Sequence, residues 1–274
     1  MKVFGYIPRQ TPIHKLTGAS KLIMTLAMSI SAMLTFDTRF TVFVIILSLT
    51  LFIIAKIKFS DFKAIFILLI VFMIVNNLAI FLFAPEQGTL IYGTRTELYF
   101  ITDRYRITSE QLFYQLNVTL KYFAIVPIAL VFFLTTEPGE FASSLNTIKV
   151  NYKVAYAVSL SLRYIPDIQR AYREISQAQQ ARGVNISKKA PLRARLMGIL
   201  AILFPLVFSS LDRVELISNA MELRGFGRLK KRTWYTARAF SKWDYVIVGL
   251  SILCVLLSVL TIIINGGRFF NPFV

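Results

Sequence analysis

The chain has one cysteine, Cys254, and one histidine, His14. A lone thiol in an apolar run forms no internal disulfide and cannot by itself build a thiolate metal site, so Cys254 reads as a small core or lipid-facing side chain. A single imidazole excludes His-pair metal sites and leaves a Ser-His-Asp relay no histidine but His14. That residue, between Pro12 and Lys15, reads as an interfacial structural residue. No Asp-x-x-Asp cluster is present for magnesium diphosphate chemistry, and no Gly-x-x-x-x-Gly-Lys-Ser/Thr loop to cradle phosphates. An enzyme, and an ATPase in particular, is not expected.

Charge is also scarce. Only 16% of the 274 residues are charged, against 56% hydrophobic with 24 phenylalanines. That balance points to an integral membrane protein rather than a soluble domain. The N-terminus "MKVFGYIPRQTPIHKL" lacks the short apolar core and small-residue cleavage site of a secretory signal, so insertion is expected through the chain's own spans. A net charge of +17 could suggest nucleic acid, but basic residues in a membrane protein first report topology. No nucleic-acid partner is expected.

Five charge-free stretches are candidate membrane helices: Leu22 to Phe36, Phe40 to Ala55, Ala64 to Ala84, Tyr122 to Thr136 and Tyr245 to Ile264. Crossing the hydrocarbon takes about 20 residues, so the first, second and fourth must borrow polar flanks or cross at a thin place. Asp37-Thr38-Arg39 between the first two reads as a tight helical hairpin. With the N-terminus inside, 25 of the 31 Lys and Arg fall in cytoplasmic segments, and Arg39, Arg95, Arg104, Arg106, Lys121 and Arg268 lie outside. The expected fold is therefore an all-α polytopic membrane protein of about five transmembrane helices, N-terminus in and C-terminus out. Residues 1–136 hold spans one to four, 137–244 a cytoplasmic section, and 245–274 the last span and an external C-terminus.

A sixth run, Leu196 to Leu211, is also uncharged, but both its flanks are strongly basic. With Pro205 at its middle it reads as two helical pieces in or under the cytoplasmic face. Outside, residues 85–117 are compatible with a short hairpin before a helix capped near Thr108 or Ser109, although an ordered loop is the simpler reading. None of the five runs contains a charged residue or histidine, which weighs against an ion-coupled transporter. Asn76 and Asn77, the strongest polar exceptions, read as interhelical hydrogen-bonding groups.

The cytoplasmic section is where function is expected, being too long for a loop and too patterned for disorder. Glu137-Pro138-Gly139 stops the fourth span, "GEFASSLNTI" offers a short amphipathic helix, and Pro166 suits the start of another. Ile168, Ala171, Tyr172, Ile175 and Ala178 then share one helical face, which Arg182 continues. Leu211, Val214, Ile217, Ala220 and Met221 form a second such stripe, continued by Arg224. Gly183 and Gly225 follow the two arginines. A basic last turn and a glycine cap are common helix endings, worth roughly 0.3 to 1 kcal/mol for the charge. Repeated at the end of an apolar face, they also suit a rigid cation entering an acidic or carbonyl-lined groove on a partner. The pattern alone leaves capping and docking open.

The residues that carry these endings, "LRYIPDIQRAYREISQAQQARG" at 162–183 and "SSLDRVELISNAMELRGFG" at 209–227, resemble the transmembrane T component of energy-coupling factor (ECF) transporters. "GYIPRQTPIHKLTGASKL" near the N-terminus and "LTTEP" at 134–138 fit that family's pattern too. The first motif reads Ala181-Arg182-Gly183; the second has Leu223 in place of alanine before Arg224-Gly225. The resemblance implies a non-catalytic subunit of the prokaryotic cell membrane that links two ABC-type ATPase subunits, one at each arginine motif, to a substrate-binding membrane subunit. ATP and Mg would be bound on the ATPases, with no cofactor on this chain, and the cargo would be a vitamin or metal ion. It also gives the uncharged run a role: Leu196, Ile199, Leu203, Phe204 and Phe208 would form an apolar platform for the substrate subunit. The rival readings are a substrate-pathway permease of an ordinary ATP-driven transporter, a membrane scaffold unrelated to transport, and a membrane enzyme.

Overall fold

The computed structural model describes residues 9–100, 102, 105–185, 191–229, 233–234 and 237–273. Outside them lie Lys2, Arg104, Lys188, Lys189, Lys230, Lys231 and Arg232, all counted above for topology, and residues 5–8 of the N-terminal motif. Chain contacts divide the protein into two units: Met1–Ser144 with Arg238–Val274, and Leu145–Ala237.

The first unit is a helical membrane assembly. A short α1 (Pro12–Lys15) leads into α2 (Gly18–Leu34), α3 (Thr38–Ile54) and α4 (Phe59–Phe83). Then come α5 (Gln87–Tyr92), a hairpin of β1 (Glu97–Phe100) and β2 (Arg106–Thr108), α6 (Ser109–Thr135) and α7 (Pro138–Thr147). After the second unit, α10 (Lys242–Ile264) completes it. Of these, α4, α6 and α10 are long and apolar enough to cross a membrane, while α2 and α3 are apolar but shorter. At 1.5 Å per residue each shorter helix spans about 25 Å, so polar flanks must reach the interface. The Asp37 side chain caps α3 by accepting from the Arg39 amide, which makes the expected tight hairpin after α2.

Helices α2, α3, α6 and α10 pack on one another around Met24, Met28, Ala32, Val44, Ala124, Ile128 and Val131. Small residues let α2 and α10 approach: Ser31, Ser251, Cys254 and Ser258 are buried. By contrast α4 buries no residue. It meets α6 through the Asn77 amide, which donates to Thr119 Oγ1 at 3.1 Å, while Gln115 donates back to the Asn77 carbonyl at 3.2 Å. That is the interhelical role expected of Asn77, whereas the buried Asn76 Oδ1 has no hydrogen-bond partner among the described residues.

Three local expectations are corrected. The helix start at Thr108 is as expected, but one continuous helix runs from Ser109, so the fourth span reaches beyond its charge-free run and takes in Glu110 and Lys121. Lys121, counted as external, lies inside α6 level with the end of α2, where its ammonium donates to the Met33 carbonyl and sits 3.1 Å from the Phe36 ring centroid. The segment before α6 is a paired hairpin preceded by a helical turn rather than a loop, with Tyr99 opposite Ile107 and Phe100 opposite Arg106. Its register is reinforced by an Arg106–Glu97 ion pair at 2.6 Å.

The third correction concerns the prolines. In the second unit, α8 (Tyr152–Ala181) runs through Pro166 and α9 (Leu192–Leu223) runs through Pro205. Neither residue starts a helix, and the uncharged run is one piece, not two. A proline inside a helix forfeits one backbone hydrogen bond and costs about 3 kcal/mol. Breaking the helix in apolar surroundings would orphan several such groups. At Pro166 the helix is further held by ion pairs from the adjacent Asp167 to Arg170 and Arg213.

Candidate functional site

The second unit is built on α8 and α9, which cross in antiparallel sense. Early in α8, Tyr152 meets the Phe226 ring edge-on and Tyr156 packs on it at a tilt, just past the end of α9. Further along, Tyr164 lies under the Arg213 guanidinium, and Asp167 reaches the same group at 4.0 Å. From that crossing α8 runs about 27 Å to Arg182 and α9 about 16 Å to Arg224, in opposite directions. The two arginine motifs are therefore the tips of two separate arms.

Each tip is made the same way. Arg182 is the C-cap of α8, Gly183 takes φ +86°, its amide donates to the Gln180 carbonyl, and the Val184 amide donates to Gln179. Arg224 caps α9, Gly225 takes φ +66°, and the Gly225 and Phe226 amides donate to the Glu222 and Met221 carbonyls. These are paired Schellman closures, which need a residue at positive φ and favour glycine there. A third occurs on α10, where Gly266 has φ +62° and the Gly266 and Gly267 amides donate to Ile263 and Ile262. There the cap residue is Asn265. The closure itself thus has no need of arginine. Both arginines and both alanine-equivalent neighbours, Ala181 and Leu223, are exposed, Leu223 to 90%.

The apolar stripes are divided in use. Ile168 on α8 and Val214, Ile217 and Met221 on α9 line a groove of about 540 Å³ along the crossing, with Tyr164 and Arg213 at one side. Part of each predicted sticky face is therefore turned toward the other helix. Toward the α8 tip, Tyr172 remains exposed. In the first half of α9, Leu196, Ile199, Leu203, Phe204 and Phe208 are all exposed, from 41% to 61%. Such an apolar surface is satisfied only by lipid or by another protein. Along α9 these five residues lie on the other side of the crossing from Arg224.

The sequence reading missed a polar cluster in the membrane unit. Buried Asp244, at the start of α10, accepts from the Thr17 amide at 2.8 Å, Thr17 Oγ1 at 3.0 Å and Ser20 Oγ at 2.5 Å, and from the Ser241 amide at 2.7 Å. Ser241 and Asp244 form a reciprocal capping box, a short-range signal visible in Ser-x-x-Asp. Nothing local announces the partners in α2. Buried Glu140 lies 3.9 Å from the Lys21 ammonium and 2.8 Å from Arg238 Nε. Burial pushes its carboxyl above the ordinary range, against the pull of Lys21 and Arg238. Among the described residues no group of three or more His, Cys, Asp or Glu is placed to hold a metal ion.

These features define a polytopic membrane protein whose second unit presents two arginine-tipped arms and a long apolar helix face. The family model described as CbiQ, cobalt transport protein, matches residues 9–235. The energy-coupling factor transporter transmembrane protein EcfT of Exiguobacterium sibiricum is 31% identical over 206 residues, covering 72% of this chain and 74% of that protein. Its counterpart from Leuconostoc gelidum is 26% identical over 258 residues, covering 88% and 89%, and that from Lactococcus lactis 27% identical over 266 residues, covering 93% and 95%. The chain belongs to this family, the transmembrane components of energy-coupling factor transporters.

Proposed function

We propose that the chain is the coupling subunit of an ATP-driven importer in the prokaryotic cell membrane, joining two ATPase subunits to a substrate-binding membrane subunit that takes up a vitamin or metal ion. The ATPases bind and hydrolyse ATP with Mg; this chain holds neither. The observation that carries the reading is the pair of arms. Two helices end in the same arginine-glycine closure at opposite ends of a crossing, while a third helix in the chain closes identically with asparagine. An exposed arginine fork at such a tip can enter a carbonyl- or carboxylate-lined groove on an ATPase with paired hydrogen bonds. Leu196, Ile199, Leu203, Phe204 and Phe208 then serve as the platform for the substrate subunit.

The test is retention of the ATPases by a tagged chain in detergent. Losing a buried, hydrogen-bonded charge from an interface costs about 2 to 5 kcal/mol, so Arg182→Ala or Arg224→Ala weakens docking at its own arm by roughly thirtyfold or more. The double variant retains neither ATPase, although it still inserts in the membrane. Full retention by the double variant overturns the reading. So does solute binding by the purified chain with no other subunit present, which is the behaviour of a permease.

A further inference from the structure

The second unit is joined to the membrane unit by two chain crossings, one after Ser144 and one before Arg238. On the membrane side both are fastened to a single turn of α2. The outgoing strand is held through Glu140, whose backbone packs so closely on Gly18 that a Cβ there would lie 3.0 Å from the Glu140 carbonyl oxygen and 3.1 Å from its Cβ. Lys21, fully buried, donates to the Thr135 carbonyl at 2.8 Å and faces the Glu140 carboxylate. The returning strand is held twice: Arg238 pairs with Glu140, and Asp244 gathers three donors from Thr17 and Ser20. The Arg238 contact is an ion pair without hydrogen-bond alignment, and half of the Arg238 side chain is exposed. The N-terminal and Thr-Thr-Glu-Pro motifs of the sequence, more than a hundred residues apart, meet at this turn.

Packing alone does not call for this chemistry. A buried ion pair is on balance no more stabilising than apolar residues of the same shape, and is often less so. What buried charges supply is a fixed partner and register, because every misplacement leaves a charge unpaired. We infer that Glu140, with Lys21, Arg238 and Asp244, is the anchor through which movement of the two arms enters the membrane unit, and that α2 is the helix that receives it. The inference rests on the coupling role proposed above. Glu140 is thus a positioning residue: it touches neither nucleotide nor solute, and it converts arm displacement into displacement of α2.

Two spin-label pairs in the assembled complex test this, in a Cys254→Ser background in liposomes containing phosphatidylglycerol. Labels at Gln177→Cys and Asn219→Cys report motion between the arms, and labels at Met33→Cys and Leu78→Cys report α2 against α4; all four positions are exposed. Distances are compared without nucleotide and with ATP plus vanadate. Both pairs are expected to respond in the parent. In Lys21→Met/Glu140→Gln, which leaves no buried charge unpaired between these two residues, and in Arg238→Gln, the arm pair responds as before while the α2 response falls to less than about one third. Arg238→Lys restores it. Should the double variant fail to fold, Arg238→Gln, altered at a half-exposed side chain, decides alone. An α2 response equal to the parent's in the variants, or absent in a parent whose arms respond, overturns the anchor. Arms that do not respond to nucleotide in the parent overturn the coupling role itself.

Discussion

The two units satisfy their side chains in opposite ways. In the membrane unit even strongly polar groups are taken out of water and given partners: Asp244, Glu140 and Lys21 are buried, and an apolar core runs from Ile13 and Leu16 to Ile128 and Val131. In the arm unit few residues of α8 and α9 are buried, among them Tyr152, Ala155, Gly198 and Ile202, while leucines and phenylalanines stand exposed along α9. One unit buries and pairs its charges within the chain, although α4 and other apolar faces of it stay open, and the other keeps few residues buried along its two helices. Rigidity is therefore concentrated where the chain is anchored, and open surface where partners arrive.

Carboxylate removal is the strongest way to break that comparison. Asp244→Ala strips the acceptor from a buried amide and two buried hydroxyls, and the cost is expected at about 3 kcal/mol or more. Asp167→Ala in the arm unit removes only partly exposed ion pairs to Arg170 and Arg213, a loss of about 1 kcal/mol or less. Thermal unfolding in detergent should lower the midpoint clearly for the first and barely for the second. Equal shifts would mean that the arm unit is as tightly determined as the membrane unit.

A finer contrast uses glycines that share a backbone conformation. Gly183 and Gly266 both sit at positive φ with open space around the missing Cβ, so alanine at either meets strain alone. That strain is about 1 kcal/mol. At the α8 tip it loosens the closure that presents Arg182, so Gly183→Ala should reduce ATPase retention by about fivefold. Gly266→Ala loosens a helix end that presents only Asn265 and should leave retention unchanged. A pull-down comparing the two variants separates presentation of the arginine from helix capping in general.

Much of this was legible in the sequence because its physics is local. Long uncharged runs mark α4 and α10, Asp37 marks the α2–α3 turn, Thr108 marks the start of α6, and Gly183 and Gly225 mark the arm tips. The prolines misled for a complementary reason. Pro166 and Pro205 are read locally as breaks, but the seam with α9 in one case and the apolar surroundings in the other favour an unbroken helix. The cluster at Thr17, Ser20, Lys21, Glu140 and Asp244 was invisible because its members come from distant parts of the chain. Only the folded helices show that Glu140 and Asp244 answer to one turn of α2.

The smallest expected effect lies in the hairpin before α6, where the membrane unit reaches water and its chemistry becomes that of a surface. Hydrogen bonding from Arg106 holds the Glu97 carboxyl below the ordinary glutamate range, with Arg95 adding a second attraction. Because the folded value is the lower one, the pair's stabilisation is present above the unfolded pKa of about 4.3 and is lost as pH falls through the folded value. Yet Glu97 is exposed, and water and salt screen such pairs. Glu97→Gln should therefore leave the unfolding midpoint and ATPase retention unchanged at pH 7. Only amide exchange in β1 and β2 should quicken slightly, and that difference should close as the pH falls and protonated Glu97 comes to resemble glutamine. A large loss of stability instead would place this hairpin with the buried anchor rather than with the exposed surface.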